Sequence, residues 1–273
     1  MPGPSKRHRS PGPPSQRLGG IVLYRINSGE ADLIVSFLTM EMGILTAIAK
    51  NARKSIKRFG GGLLDPARAA YYYFKIRNHR DLCLVERGED NPKAPILPNL
   101  PLIHALASWA LELVLAFEMP FNPSLDAFNL LVRHLKDLSD PLPTEPPALE
   151  ARTASLVFTH HYLKKTGFAP NFQCHFCGKV PSVELEDLPW SWDFIAPKII
   201  CPDCLKIRGI VAPRVPLGLL VALKKLPFPM RPVFPLPDDW LTLAEHYYGD
   251  LVETITGRSL KSRKVIEELN RLS

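Results

Sequence analysis

Long apolar runs are missing from this 273-residue sequence: the longest candidate, around Leu111–Phe117, is interrupted by Glu112. A membrane-spanning helix needs roughly 18–20 uncharged residues, so a helical membrane protein is excluded. The short signatures of catalysis are missing as well. There is no GxxxxGKS/T, HExxH, GxSxG or GxGxxG, and the triple glycine Gly60–Gly62 is not followed by Lys-Ser/Thr. The acid pairs Glu184/Glu186 and Asp238/Asp239 fall in loop-like sequence and read as solvated charges, with Asp238 a candidate helix cap. His160 and His161 adjoin, but helical neighbours diverge by about 100°, so they cannot share a ligand. With no nucleophile or general base on offer, the sequence reads as a non-enzyme. Cysteine is scarce, five residues and an odd number, which argues against a disulfide framework and for a reducing compartment.

What is present is core-forming material, 46% hydrophobic against 22% charged residues, in a length that suits two domains. Lys and Arg outnumber Asp and Glu by 34 to 27, a formal net charge of +7. That balance points to an anionic partner where the charge is clustered. The first residues are basic and proline-rich, with Lys6, Arg7, Arg9 and Arg17, and have too little apolar side chain to offset the entropy of ordering. Residues 1–19 are therefore expected to be a flexible leader. It has no apolar core of the secretory kind, so the expected location is the cytoplasm.

From Gly20 to about residue 90 short β-favouring runs follow one another: GIVLYRI, LIVSFLT, GILTAIAK, AAYYYFKIR and DLCLVE. Met40–Gly43 is a tight turn, and a long basic connection spans Asn51–Asp65. Five strands in so short a stretch suit a small closed barrel of the OB type, which removes exposed edges. Beyond residue 91 the period becomes helical. Leu102, Leu106, Trp109, Leu113 and Phe117 form one apolar stripe, and Leu125, Phe128, Leu131, Leu135 and Leu138 a second, which Asn122-Pro123 is expected to start. Further helices are predicted over Ala148–Lys165, Asp239–Ile255 and Leu260–Leu272. The expected fold class is α+β, strands first: an OB-like barrel over 20–90, then a mainly helical domain over 91–273 carrying a four-cysteine zinc module at about 172–206.

Cys174-x-x-Cys177 and Cys201-x-x-Cys204 are separated by 23 residues, a spacing suited to two zinc knuckles folded together. Gly178 and Pro202 are expected to hold each pair in a tight turn. Four thiolates fill a tetrahedral ion and leave no position for water, so such a site is structural. Lys179, Lys198, Lys206 and Arg208 are placed to offset its negative charge. The alternatives are cysteines that merely pack and a redox pair, although the latter needs one Cys-x-x-Cys rather than two.

The densest basic run is KNARKSIKR, in which Lys50, Arg53, Lys54, Lys57 and Arg58 occur with no acid among them. On the rim of a barrel it could track a phosphate backbone, and at least one of Tyr71, Tyr72 and Tyr73 could stack on a base. The competing reading is a solvated basic loop beside tyrosines that pack the barrel. Arg258, Lys261, Arg263 and Lys264 place positive charge at the start of the last helix, against its dipole, as if for an acidic partner.

The order of these features resembles the RecO family of bacterial recombination and repair proteins. The resemblance lies in GIVLYRINSGEADLIVSFLTMEMGILTAIAKNARK with Arg58-Phe59 after it, then FNLLVRHLKDL, TGFAPNFQCHFCG, CPDC and LKSRKVI. Asn51 stands where the family usually has glycine, and asparagine tolerates the positive φ a turn needs there. The resemblance implies an OB-fold, a helical domain and structural zinc on Cys174, Cys177, Cys201 and Cys204. It also implies a role without turnover: binding single- and double-stranded DNA and annealing complementary strands. Implied partners are RecR, often RecF, and the acidic tail of single-stranded-DNA-binding protein, in loading RecA near the nucleoid, with no membrane. Lys50, Arg53, Lys54, Lys57 and Arg58 match the family's basic stretch. The alternatives are an RNA-binding OB-fold protein and a protein-interaction scaffold without a DNA role.

Overall fold

The computed structural model describes residues 14–76, 82–140, 147–169, 171–182, 190–193, 198–226 and 236–272. Most of the expected leader and most of the proline-rich 226–239 stretch lie outside the described residues. The chain divides into two compact units, one of residues 1–94 with 119–124, the other of residues 95–118 with 125–273.

The first unit is a closed barrel of β1 (Gln16–Ser28), β2 (Asp32–Thr39), β3 (Gly43–Ala49), β4 (Ala69–Lys75) and β5 (Cys83–Asp90), in the order β1-β2-β3-β5-β4. β1 starts at Gln16, so Arg17 and Leu18, given to the leader on composition, are barrel residues paired with Tyr73 and Tyr72. Antiparallel ladders join the strands except at the seam between β3 and β5, which is parallel and rests on two pairs, Ala47↔Cys83 and Ile48↔Leu84. Period-two alternation sends Leu33, Val35 and Phe37 inward with Leu45, Tyr72, Phe74 and Val85. Phe37 lies 4.6 Å from the Tyr72 ring and 5.1 Å from Phe74.

At the β2–β3 turn Gly43 has φ +66°, and a Cβ there would overlap the backbone of Asn122. The reason is that Met119–Ser124 belongs to the barrel unit: Phe121 N–H donates to Ile44 O at 3.1 Å. A single cut near residue 90 therefore misses a returning segment, because it comes back through one bridge, one hydrogen bond and the packing of Phe121 on the barrel core, with no strand-like sequence.

The second unit holds α2 (Pro101–Phe117), α3 (Leu125–Ser139), α4 (Pro147–Lys165), α7 (Asp238–Thr256) and α8 (Lys261–Leu272). The α3 helix begins at Leu125, three residues after Asn122. Leu106, Trp109 and Leu113 of α2 are buried, as are Leu131, Leu135 and Leu138 of α3. The α2 helix packs against α3, α4 and α8, and α4 also against α3 and α7. Between α4 and α7 lie elements that the sequence reading left out: a small sheet of β6 (Trp190–Asp193), β7 (Lys198–Ile200) and β8 (Arg214–Val215), and the helices α5 (Pro202–Arg208) and α6 (Leu217–Lys224). Trp192 of β6 stacks on Tyr247 of α7 at 4.5 Å. Among the described residues no helix is long and apolar enough to cross a membrane.

Candidate metal centre and nucleic-acid interface

The Sγ atoms of Cys174, Cys177, Cys201 and Cys204 all lie within 4.8 Å of one another, and Cys177 and Cys201 are 3.6 Å apart. A tetrahedral ion with bonds near 2.3 Å has ligand separations of about 3.8 Å, so this donor set fits one metal ion, and the five cysteines are free of disulfides. The first pair sits in a tight turn closed by Gly178 N–H to Cys174 O at 2.9 Å, with Gly178 at φ +74°. The second pair departs from expectation. Cys201 ends the β7 approach, and Pro202 starts a helix rather than a turn, because proline lacks the N–H that a first helical turn leaves unused. Cys204 thus stands in the first turn of α5.

The small sheet brings the two pairs together. Cys174 bridges Ile199 beside Cys201, and His175 N–H donates to Ile199 O at 2.8 Å. Burial pushes the Cys174 thiol up, yet N–H groups of Cys201, Cys177 and Phe176 outweigh it and hold the thiol down to about 6. Burial and the neighbouring thiols push Cys204 up to about 12. Thiols gathered in this way bind a cation as thiolates, and the binding would release their protons. Of the expected counter-charges, Lys179 is ion-paired with Asp203 at 2.9 Å, and the Arg208 guanidinium covers the Phe176 ring at 4.0 Å. His175 is exposed and outside the cluster.

In the barrel unit β3 ends at Ala49 and the chain turns at Asn51, whose φ of 52° and ψ of 28° are left-handed. Its N–H donates to Asp32 Oδ1 at 2.7 Å. A 3-10 turn, Ala52–Lys54, and the one-turn helix α1 (Ile56–Phe59) follow. Ala52 and Phe59 join the barrel core and pin both ends of this segment. Lys50, Arg53, Lys54 and Lys57 are exposed, while Arg58 is half-buried and donates to Ser55 Oγ at 2.9 Å and Lys50 O at 2.7 Å. Arg53 donates to Glu30 O at 3.2 Å. Among the described residues none of the five is ion-paired with a carboxylate.

The tyrosine triplet is arranged differently from a bare stacking platform. Tyr72 is internal and donates to Leu63 O at 2.6 Å. Tyr71 and Tyr73 face outward, each ring covered at 3.6 Å by a guanidinium, Arg17 on Tyr71 and Arg87 on Tyr73, and Tyr73 also donates to Glu89 at 2.7 Å. Sequence reasoning missed this pair of stacks because only the β1–β4 and β4–β5 registers bring the residues side by side. The C-terminal cations divide too: Arg263 is held by Asp250, Glu253 and Glu267, whereas Lys261 and Lys264 are exposed.

The family model described as Recombination protein O N terminal matches residues 15–90. The DNA repair protein RecO of Myxococcus xanthus (strain DK1622) is 32% identical over 251 residues, 89% of this chain and 93% of that protein. That of Synechococcus sp. (strain JA-2-3B'a(2-13)) is 30% identical over 268 residues, covering 92% and 88%. That of Syntrophus aciditrophicus (strain SB) is 28% identical over 262 residues, covering 93% and 95%.

Proposed function

Since the chain belongs to the RecO family of DNA repair proteins, we propose that it is a non-enzymatic DNA-binding mediator of recombinational repair. It binds single- and double-stranded DNA, anneals complementary strands, and works with RecR, and with RecF where that partner takes part. The outcome is RecA loaded on DNA coated by single-stranded-DNA-binding protein. The observation that carries this reading is the segment Lys50–Arg58, where five cations stand on a pinned turn with no carboxylate partner among the described residues. Two polyanionic strands approach more readily when a protein supplies counter-charge, and that gain fades as salt screens it. Annealing by this route needs no active site.

The cysteine cluster takes zinc in a closed, structural site, in which Cys174, Cys177, Cys201 and Cys204 supply four thiolates. Cys174 and Cys177 from one turn, with Cys201 and Cys204 where β7 runs into α5, would hold the ion, which would contribute folding energy to this region.

The test is a fluorescence annealing assay on complementary strands, bare and coated, with Arg53→Glu, Lys54→Glu and Arg58→Glu combined. The expected result is slower annealing and weaker DNA binding, with the log–log salt slope shallower by about 0.7 per lost single-strand phosphate contact. Unchanged DNA affinity in that variant, or affinity indifferent to salt, overturns the reading. Competition between matched single-stranded DNA and RNA separates it from RNA binding.

A further inference from the structure

We propose that Cys177 is an oxidant-reactive site: peroxide attacks there first, and the product is a Cys177–Cys201 disulfide that empties the metal centre and is reversed by thiol reductants. The inference rests on the zinc reading above and deepens it, by giving the four sulfurs unequal fates.

Burial separates the sulfurs. Cys174, Cys201 and Cys204 are 3%, 0% and 8% exposed, whereas Cys177 is exposed together with His175, Phe176 and Gly178, its neighbours in the turn. One corner of the cluster therefore faces solvent. A closed site offers no position for water, so its reactive atoms are the ligand sulfurs, and thiolate is the form of sulfur that attacks a peroxide. An oxidant arriving from solvent meets Cys177.

Geometry picks the second sulfur. Cys201 Sγ lies 3.6 Å from Cys177 Sγ, while Cys174 Sγ is engaged by the Cys201 N–H at 3.4 Å. A disulfide brings its sulfurs to about 2.0 Å, so the pair has about 1.6 Å to close. Cys201 is fixed where β7 runs into α5, but the Cys177 turn has room to move: nothing lies within 4 Å of the point where a side chain on Gly178 would begin.

The chemistry balances with hydrogen peroxide as the oxidant. The Cys177 thiolate attacks one peroxide oxygen, an S–O bond forms, the O–O bond breaks, and hydroxide leaves, giving a sulfenic acid. The Cys201 thiolate then attacks the Cys177 sulfur, an S–S bond forms, the S–O bond breaks, and a second hydroxide leaves. Two thiolates have lost two electrons and the peroxide has gained them. Two of the four donors are gone, and the two thiolates that remain, on Cys174 and Cys204, no longer retain the ion. Because the new bond joins one Cys-x-x-Cys pair to the other, the first turn stays tethered to the β7–α5 junction, and reductant with zinc can rebuild the site. A disulfide within either pair would leave the two pairs apart.

The experiment treats the full zinc-loaded chain with hydrogen peroxide and follows zinc with a chromogenic chelator and thiols with a colorimetric reagent. Peptide mass mapping locates the disulfide, and dimedone, which traps sulfenic acids, marks the sulfur attacked first. The expected result is loss of about one zinc and about two thiols per chain in step, dimedone on Cys177 ahead of the other cysteines, a Cys177–Cys201 disulfide, and recovery of bound zinc with dithiothreitol and zinc. A disulfide within either Cys-x-x-Cys pair, dimedone chiefly on a buried cysteine, irreversible zinc loss, or thiols and zinc untouched at peroxide levels that oxidise free cysteine overturns the proposal. Metal analysis of the untreated protein separates the two ideas: absence of zinc there removes the zinc reading and with it the emptying of the site, whereas zinc present with the wrong disulfide leaves that reading intact and removes this one.

Discussion

Inside the barrel, Phe37, Tyr72 and Phe74 pack ring against ring, and the buried hydroxyls of Thr39 and Tyr72 donate to backbone oxygens of Gly43 and Leu63. The helical unit buries another chemistry. Its central helix α4 sinks Glu150, Arg152, Thr153, Ser155, Thr159 and His160 into the interior, and α3 adds His134 and Asp137. Arg152 is forked onto Glu245 by two 2.9 Å hydrogen bonds and also paired with Asp238; the two carboxylates keep it charged against its burial. One unit is held mainly by apolar packing, the other also by buried charge and a cluster of thiols. The difference teaches that acid, chelators and single charge deletions should act on the helical unit and spare the barrel. All four tryptophans lie in the helical unit, so tryptophan fluorescence follows it alone.

The largest effect expected is from the metal. Chelation, or Cys201→Ser, should remove on the order of 10 kcal/mol of local folding energy around β6, β7 and α5. Metal analysis together with hydrogen exchange checks this; protection lost equally in barrel strands would erase the contrast between the units. Next comes Arg152→Ala, which strands Glu245 with no cation and should cost the helical unit about 3–5 kcal/mol, read from the denaturant midpoint by tryptophan fluorescence.

Smaller is the pH response. Burial holds His134 down to about 3, stacked 4.5 Å from Phe158, and burial with His161 and Lys164 alongside holds His160 down to about 4. Above the unfolded value near 6.5 neither state is protonated and nothing is lost. Below it the unfolded chain takes up protons that the folded one refuses, so His134 should remove about 1.4 kcal/mol of stability per pH unit down to about 3. His160 acts in the same direction. The barrel unit has no histidine among its described residues, so no loss of this kind is expected from them between pH 7 and 5. His134→Phe should make the helical response shallower, leaving the share of His160, and a slope that the substitution leaves unchanged would refute this account. The smallest effect is Asn51→Gly, which keeps the left-handed turn and should change stability by less than about 1 kcal/mol, whereas Asn51→Val should cost about 1–2 kcal/mol.

The barrel was legible in the sequence because an interior facing a solvated wall writes a period of two into each strand, and the strands are close in sequence. The cysteine pairs were legible because thiolate ligands need fixed short spacings. Central α4 was visible as a helix, but its burial was not, since a helix wrapped on several sides and lined with paired polar groups has no apolar stripe. The return of Met119–Ser124 to the barrel, the three short strands around the thiols and the arginine-capped tyrosines depend on neighbours distant in sequence. Arg263 reads as a spare cation until Asp250 and Glu253 arrive from another helix.

The parallel seam of the barrel has one further consequence. It is the shortest ladder in the ring, and Cys83, 2% exposed, is one of its four residues and the sole cysteine outside the thiol cluster. A thiol reagent reaches that sulfur only after local opening, so the alkylation rate of Cys83 is a built-in clock for the parting of the seam between β3 and β5.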